Sequence, residues 1–111
     1  MTKFEKLNEI VKKLRSPDGC DWDKEQTHES LTPYLLEEVY EVIEAIENKD
    51  FDLLKEELGD LLLHIIFQAD LAQDKNKFSI EDSIDSINKK LVNRHPHIFE
   101  NKNDKSWGEG N

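Results

Sequence analysis

The sequence predicts an all-α protein, a small four-helix bundle-like domain built on an antiparallel helical hairpin. Apolar residues recur at helical spacing in four segments, whereas alternating strand patterns are nearly absent. The short "ENKD" connection makes the second and third helices antiparallel neighbours. Residues 1–100 form the predicted domain, and residues 101–111 are predicted to be a polar tail that is loose except at Trp107.

The first predicted helix covers residues 3–15, and its apolar stripe consists of Phe4, Leu7, Ile10, Val11 and Leu14. The following segment, "RSPDGCDWD", contains proline and glycine and is predicted to be a loop.

The second helix is expected to begin between His28 and Pro33, with Ser30 or Thr32 as its N-cap, and to end near Asn48.

Asp50 is positioned to cap a third helix that runs from residue 51 to about residue 74. Ser79 and Asp82 resemble a capping box that opens a fourth helix. This helix should end near Arg94, because a proline follows two residues later.

The charge balance excludes one class of partner. The chain has 25 acidic and 15 basic residues and a net charge of -10, so it lacks the cationic surface that a nucleic-acid polymer requires.

The only cysteine of the chain, Cys20, cannot form a disulfide within the chain. The N-terminus lacks a signal-like apolar region, and no apolar run reaches membrane-spanning length. We therefore predict a cytoplasmic protein without a membrane partner.

Two acids interrupt an apolar stripe of the third helix, in "KEELGDLLLHIIF". On a helical wheel of about 100° per residue, Glu57 and Asp60 share a face with Leu53, His64 and Phe67. The polar face is predicted elsewhere on this helix, at Asp52, Lys55, Glu56 and Asp70.

The second helix repeats this arrangement. Glu38 and Glu41 lie between Tyr34, one turn before them, and Ala45, one turn after. Both acidic pairs are about eight residues from the turn of the hairpin, or roughly 12 Å along each helix. Folding the hairpin should therefore bring four carboxylates to one level.

Four partly enclosed carboxylates repel one another, and their pKa values should rise. A hard divalent cation with oxygen ligands would relieve this repulsion, and Mg²⁺ or Mn²⁺ fits that description. Two alternatives remain: these acids are ordinary solvated side chains, or they form the exposed acidic face of a non-catalytic all-α interaction module.

The spacing of the acids resembles that of a known family. "EEVYE", fifteen residues and then "ELGD" fit the EExxE…ExxD pattern of MazG-type nucleotide pyrophosphohydrolases. The segments "CDWDKEQTHESLTPYLLEE" and "KKLVNRHPHIF" are also similar to that family, and the likeness covers residues 4–99. The resemblance implies an all-α fold that assembles as homodimers or homotetramers. It also implies hydrolysis of nucleoside triphosphates between the α and β phosphates to the monophosphate and pyrophosphate.

The resemblance also implies roles for individual residues. The family's metal ligands match Glu38, Glu41, Glu57 and Asp60, and Glu37 matches a water-orienting base.

The remaining implied contacts are to substrate. Lys90 and Arg94 match a basic pair that contacts phosphates, with exposed surface charge as the alternative, and Trp22 is implied to stack on the base. Asp21 stands where the family usually has proline, and the loss of proline is expected to loosen this loop. His64, one turn after the acids, either supports one of them or is a core histidine.

The third helix also predicts self-association, because apolar residues cover faces beyond the acid-bearing stripe. These residues are Leu58, Leu62, Leu63, Ile65 and Ile66.

Overall fold

The computed structural model describes residues 1–100 and Trp107, and within them all regular secondary structure is helical, as predicted. Six helices follow one another: α1 (Lys3–Leu14), α2 (Asp21–Glu25), α3 (Thr32–Glu47), α4 (Phe51–Asp74), α5 (Ile80–Arg94) and α6 (Pro96–Phe99). None of these helices is long and apolar enough to cross a membrane. Apart from Trp107, which is exposed, the predicted tail lies outside the described residues.

Side-chain caps begin two of the helices where the sequence predicted them. Asp50 accepts a hydrogen bond from the Leu53 amide at the start of α4. Ser79 and Asp82 form a complete capping box at the start of α5. Because each cap satisfies amides that have no partner within the helix, these short-range signals fix both boundaries.

The start of α3 differs from the prediction. Its N-cap is Leu31, which has no capping side chain, and Pro33 occupies the first turn. Ser30 is instead part of the preceding turn, where its hydroxyl accepts a hydrogen bond from the Thr27 amide and donates one to Gln26. The prediction that Ser30 or Thr32 caps this helix was therefore wrong.

The segment predicted to be a loop contains the short helix α2. Its first residue, Asp21, forms an ion pair with Lys24 at 3.0 Å. An acidic residue at a helix N-terminus is favourable, which gives Asp21 a local role at a position where the resemblance led us to expect proline.

The first of two compact units comprises Met1–Lys77. In it, α3 and α4 pack as the expected antiparallel hairpin, and α1 packs on α4. The core consists of Val11, Leu31, Ile66, Phe67 and Leu71, with Phe4, Leu7, Leu62 and Leu63 packed against it.

Asp70 was predicted on the polar face of α4, and that prediction was wrong. Its side chain is only 5% exposed and pairs with Lys12 at 2.6 Å and with Arg15. Arg15 also pairs with Asp74 and lies over the ring of Phe67. The reason is that α1 covers the C-terminal half of α4 on a side that the N-terminal half leaves in solvent, so one wheel cannot describe both halves.

The second unit comprises Phe78–Asn111 and contains α5 and α6, which contact each other. Helix α5 ends at Arg94 as predicted, and Pro96 begins α6. The rings of Phe99 and Trp107 meet edge to face at 5.2 Å.

Candidate functional site

Three of the predicted metal ligands lie together across the α3–α4 hairpin. Glu38 and Glu41 on α3 and Glu57 on α4 each offer a carboxylate oxygen, and these oxygens lie within 4.8 Å of one another. This agrees with the matched distances of the two acidic pairs from the turn. The antiparallel hairpin therefore brings together carboxylates from two different helices.

The three glutamates are half-buried, and two of them carry oxygens without a partner. Oε2 of Glu38 and Oε2 of Glu57 are buried and accept no hydrogen bond within the described part of the chain. A buried carboxylate oxygen without a donor is costly and needs another partner. The half-burial also argues against an exposed acidic docking face, which the interaction-module alternative requires.

The electrostatics of the cluster follow from its geometry. A hydrogen bond with Glu41, burial, and the nearby charges of Glu41 and Glu38 raise the pKa of Glu57 to about 7. Burial is the largest reason why the pKa of Glu38 is also raised, followed by the charges of Glu41 and Asp60. The cluster therefore favours either a bound proton or a bound cation.

Asp60 is placed differently from the other three ligands. Its side chain is exposed and lies outside the cluster of three oxygens, although its charge acts on Glu38. We expected Asp60 to be partly enclosed on the same face as Glu57, and its exposure shows that this expectation was wrong. Asp60 is about 60° further around α4 and its side chain is one methylene shorter, so it lies at the edge of the site.

His64 is half-buried on α4, and its Nδ1 has no hydrogen-bond partner within the described residues. Burial lowers its pKa, whereas the charge of Asp60 acts in the opposite direction. His64 is therefore not a core histidine with all its hydrogen bonds satisfied, but it also lies outside the cluster of three carboxylates.

The other site residues predicted in the first unit are all exposed. Glu37 is adjacent to Glu38 but outside the cluster. Trp22, on α2, is 47% exposed and meets Tyr34 edge to face at 5.8 Å.

Lys90 and Arg94 are both exposed on α5, in the second unit. Neither forms an ion pair within residues 1–100, in contrast to the neighbouring Lys89, which pairs with Asp85 at 2.8 Å.

The donors in the cluster suit a hard divalent cation. All three groups are carboxylates, and two contribute buried oxygens that lack a hydrogen-bond donor. Ligand oxygens that share an octahedral Mg²⁺ at about 2.1 Å lie about 3 to 4 Å apart, so modest side-chain rotations would bring these glutamates onto one ion. The residues therefore fit the predicted metal.

Two features around the site were not predicted from the sequence. Gln68 on α4 donates a hydrogen bond to the His28 carbonyl at 3.2 Å and pairs with the His28 ring. The contact of Tyr34 with Trp22 is the second, and its only sequence signal was that Tyr34 precedes Glu38 by one helical turn.

Comparison with known proteins agrees with this geometry. Residues 26–99 match the family model of the MazG nucleotide pyrophosphohydrolase domain. The chain is 58% identical over 96 residues to the nucleoside triphosphate pyrophosphohydrolase/pyrophosphatase MazG of Thermotoga maritima. It is also 48% identical over 100 residues to the nucleoside triphosphate pyrophosphohydrolase of Escherichia coli K12.

The matched regions are 86% and 89% of this chain but 38% of each of these two relatives. A similar match to YabN of Bacillus subtilis, 47% identical over 97 residues, covers 87% of this chain and 20% of that protein. The chain therefore spans less than half the length of these curated relatives.

Proposed function

We propose that this chain, which belongs to the MazG nucleotide pyrophosphohydrolase family, hydrolyses nucleoside triphosphates between the α and β phosphates. The products would be the nucleoside monophosphate and pyrophosphate. The observation that carries the proposal is the cluster of Glu38, Glu41 and Glu57, in which two buried oxygens have no protein partner among the described residues. The names of two relatives, which describe nucleoside triphosphate pyrophosphohydrolases, agree with it.

The metal would be Mg²⁺, or Mn²⁺ with the same ligands. Glu38, Glu41 and Glu57 would hold it, and Asp60 would join them from the edge of the cluster. When bound, the metal supplies charge neutralisation for the triphosphate and lowers the pKa of a coordinated water. The carboxylates in turn fix the position of the site between α3 and α4, and the half-buried surroundings limit competing water.

Other residues would act on water and on the substrate. Glu37 would orient the attacking water as its base. Lys90 and Arg94 would contact the phosphates with charge-assisted hydrogen bonds. Trp22 would stack on the base. Because the protein has a net charge of -10, these cationic and metal contacts must offset the repulsion of a polyanionic substrate.

The same family membership supports a homodimer or homotetramer in the cytoplasm, acting on free nucleotides rather than on a nucleic-acid polymer.

Product analysis would test the proposed reaction. The protein is incubated with each common nucleoside triphosphate, with and without Mg²⁺, and the products are resolved by ³¹P NMR. We expect monophosphate and pyrophosphate in a metal-dependent reaction, whereas diphosphate and phosphate would refute the proposed bond. No product from any nucleotide, together with no Mg²⁺-dependent change in Tm, would refute the enzymatic function itself.

Substitutions would test the assignment of the ligands. Glu38→Gln and Asp60→Asn should each lower kcat/KM by at least about 100-fold because each removes a charge used in the transition state. The matched control is Glu44→Gln, which makes the same change on an exposed side of α3. Full activity in either Glu38→Gln or Asp60→Asn would show that the site is assigned incorrectly.

A further inference from the structure

Two aromatic rings form an open corner near the start of α3. Trp22 is 47% exposed and Tyr34 is 46% exposed, and their rings meet at 85° with centroids 5.8 Å apart. In an edge-to-face pair, the ring that contributes its edge keeps both of its faces free of the other. The corner therefore presents planar apolar surface to solvent.

Tyr34 connects this corner to the carboxylate cluster. It precedes Glu38 by four residues on α3, so the two side chains lie on the same face, about 6 Å apart along the helix axis. A ribose joins the base of a nucleotide to its first phosphate. A nucleotide with its phosphates at Glu38 could thus place its base beside Tyr34.

Hydrogen bonds hold the segment between the two rings in place. The carbonyl of Trp22 accepts a hydrogen bond from Gln26 at 2.9 Å. His28 pairs twice with Gln68 of α4, once through its ring and once through its carbonyl. Because α4 also carries Glu57, this pair of contacts fixes the aromatic corner relative to the helix that bears the acids.

We propose that Tyr34 is a substrate-binding residue that contacts the nucleobase and completes, with Trp22, the base site of the nucleotide. The inference rests on the proposed function, since it assumes that the phosphates lie at the carboxylate cluster. Contact with aromatic rings uses the π-face that all bases share. The Tyr34 contact should therefore serve purine and pyrimidine nucleotides alike.

A second exposed aromatic residue allows a matched kinetic test. Tyr34→Leu removes the proposed contact, whereas Phe51→Leu also replaces an aromatic ring by leucine, at the first residue of α4, where the side chain is 75% exposed. We expect Tyr34→Leu to raise KM about tenfold for both ATP and CTP, with kcat unchanged within about twofold. Tyr34→Phe should retain the wild-type KM, because it keeps the ring.

Product inhibition provides a readout that a merely structural role would not move. The monophosphate carries the base, whereas pyrophosphate does not. Tyr34→Leu should therefore raise the inhibition constant of AMP about tenfold and leave that of pyrophosphate unchanged.

The outcomes separate this inference from the proposed function. A wild-type protein that releases no pyrophosphate would overturn both. If the wild type is active, either of two results would overturn the inference alone: Tyr34→Leu has the same KM as Phe51→Leu, or Tyr34→Leu weakens the binding of pyrophosphate as much as the binding of AMP.

Discussion

At the scale of single residues, Glu57 shows how burial and neighbouring carboxylates act on one side chain of the site. Its side chain is half-buried beside two other carboxylates, and one of its oxygens has no donor among the described residues. Glu56, its neighbour in sequence, is exposed. The helical wheel predicted this difference, because one residue rotates the side chain by about 100°. The surroundings therefore give two identical side chains different chemistry.

The raised pKa of Glu57 predicts that the stability of the metal-free protein depends on pH. Because the pKa of Glu57 is raised from 4.5 to about 7, the folded protein retains a proton that the unfolded chain releases between these values. The free energy of unfolding should therefore fall as the pH rises from about 4.5 to about 7, and this contribution should then level off. We therefore measure Tm in the presence of a chelator at pH 5 and at pH 8. The decrease in Tm from pH 5 to pH 8 should be smaller in Glu57→Gln than in the wild type.

Other carboxylates of this acidic chain also titrate, so the prediction needs a control. Glu56→Gln removes the same charge one residue away, at an exposed position. It should retain the wild-type difference in Tm between the two pH values. An equally reduced difference in both variants would mean that general charge repulsion, and not the cluster, causes the pH dependence.

At the scale of the elements, features that depend on residues close in sequence were predictable, whereas most features that depend on distant residues were not. The caps at Asp50 and Ser79 act within three residues, and both were predicted from the sequence. The burial of Asp70 depends on Lys12 and Arg15, which are more than fifty residues away. No periodicity within α4 carries that information. The cluster of glutamates was predictable because a short turn joins its two helices, whereas the contact between the segment before α3 and the middle of α4 was not.

The turn that ends α1 gives a prediction based on two glycines. A Cβ at Gly19 would lie 2.1 Å from the Leu14 carbonyl oxygen, which accepts a hydrogen bond from the Cys20 amide. Gly19→Ala must therefore distort this turn, and we expect it to lower the free energy of unfolding by about 2 kcal/mol or more. Chemical denaturation followed by circular dichroism would measure the change.

Gly59 is the matched comparison, because it lies inside α4, where an added Cβ would meet nothing within 4 Å. Gly59→Ala should raise the free energy of unfolding by about 0.5 to 1 kcal/mol, since alanine favours the helix. If the two substitutions had similar effects, the backbone around Gly19 would not be too close to accept a Cβ, and the prediction would be wrong.

At the scale of the whole molecule, the apolar surface of the first unit supports self-association, although not through all the predicted residues. Ile66 is fully buried in the core of the protomer, and Leu62 and Leu63 pack against that core. Of the five residues named from α4, only Leu58 and Ile65 are exposed. The sequence prediction did not anticipate how much of α4 the first helix covers.

Helix α3 supplies the stronger argument for an oligomer. Its acids at Glu38 and Glu41 face α4, whereas exposed apolar residues occupy its opposite side. These residues are Leu36, Tyr40 and Ile43. A surface helix normally has the reverse arrangement, with its apolar side towards the core. We therefore propose that a second copy of the chain packs on this outward apolar side, as in a homodimer or homotetramer.

Ile43→Glu should disrupt this association, because it places a charge among apolar side chains that the partner would bury. We expect light scattering coupled to size-exclusion chromatography to give an oligomer for the wild type and a monomer for Ile43→Glu at the same concentration. Lys13→Gln changes the net charge by the same amount at an exposed position of α1, and it should remain oligomeric. A monomeric wild type, or dissociation of both variants, would show that the outer side of α3 is not the interface.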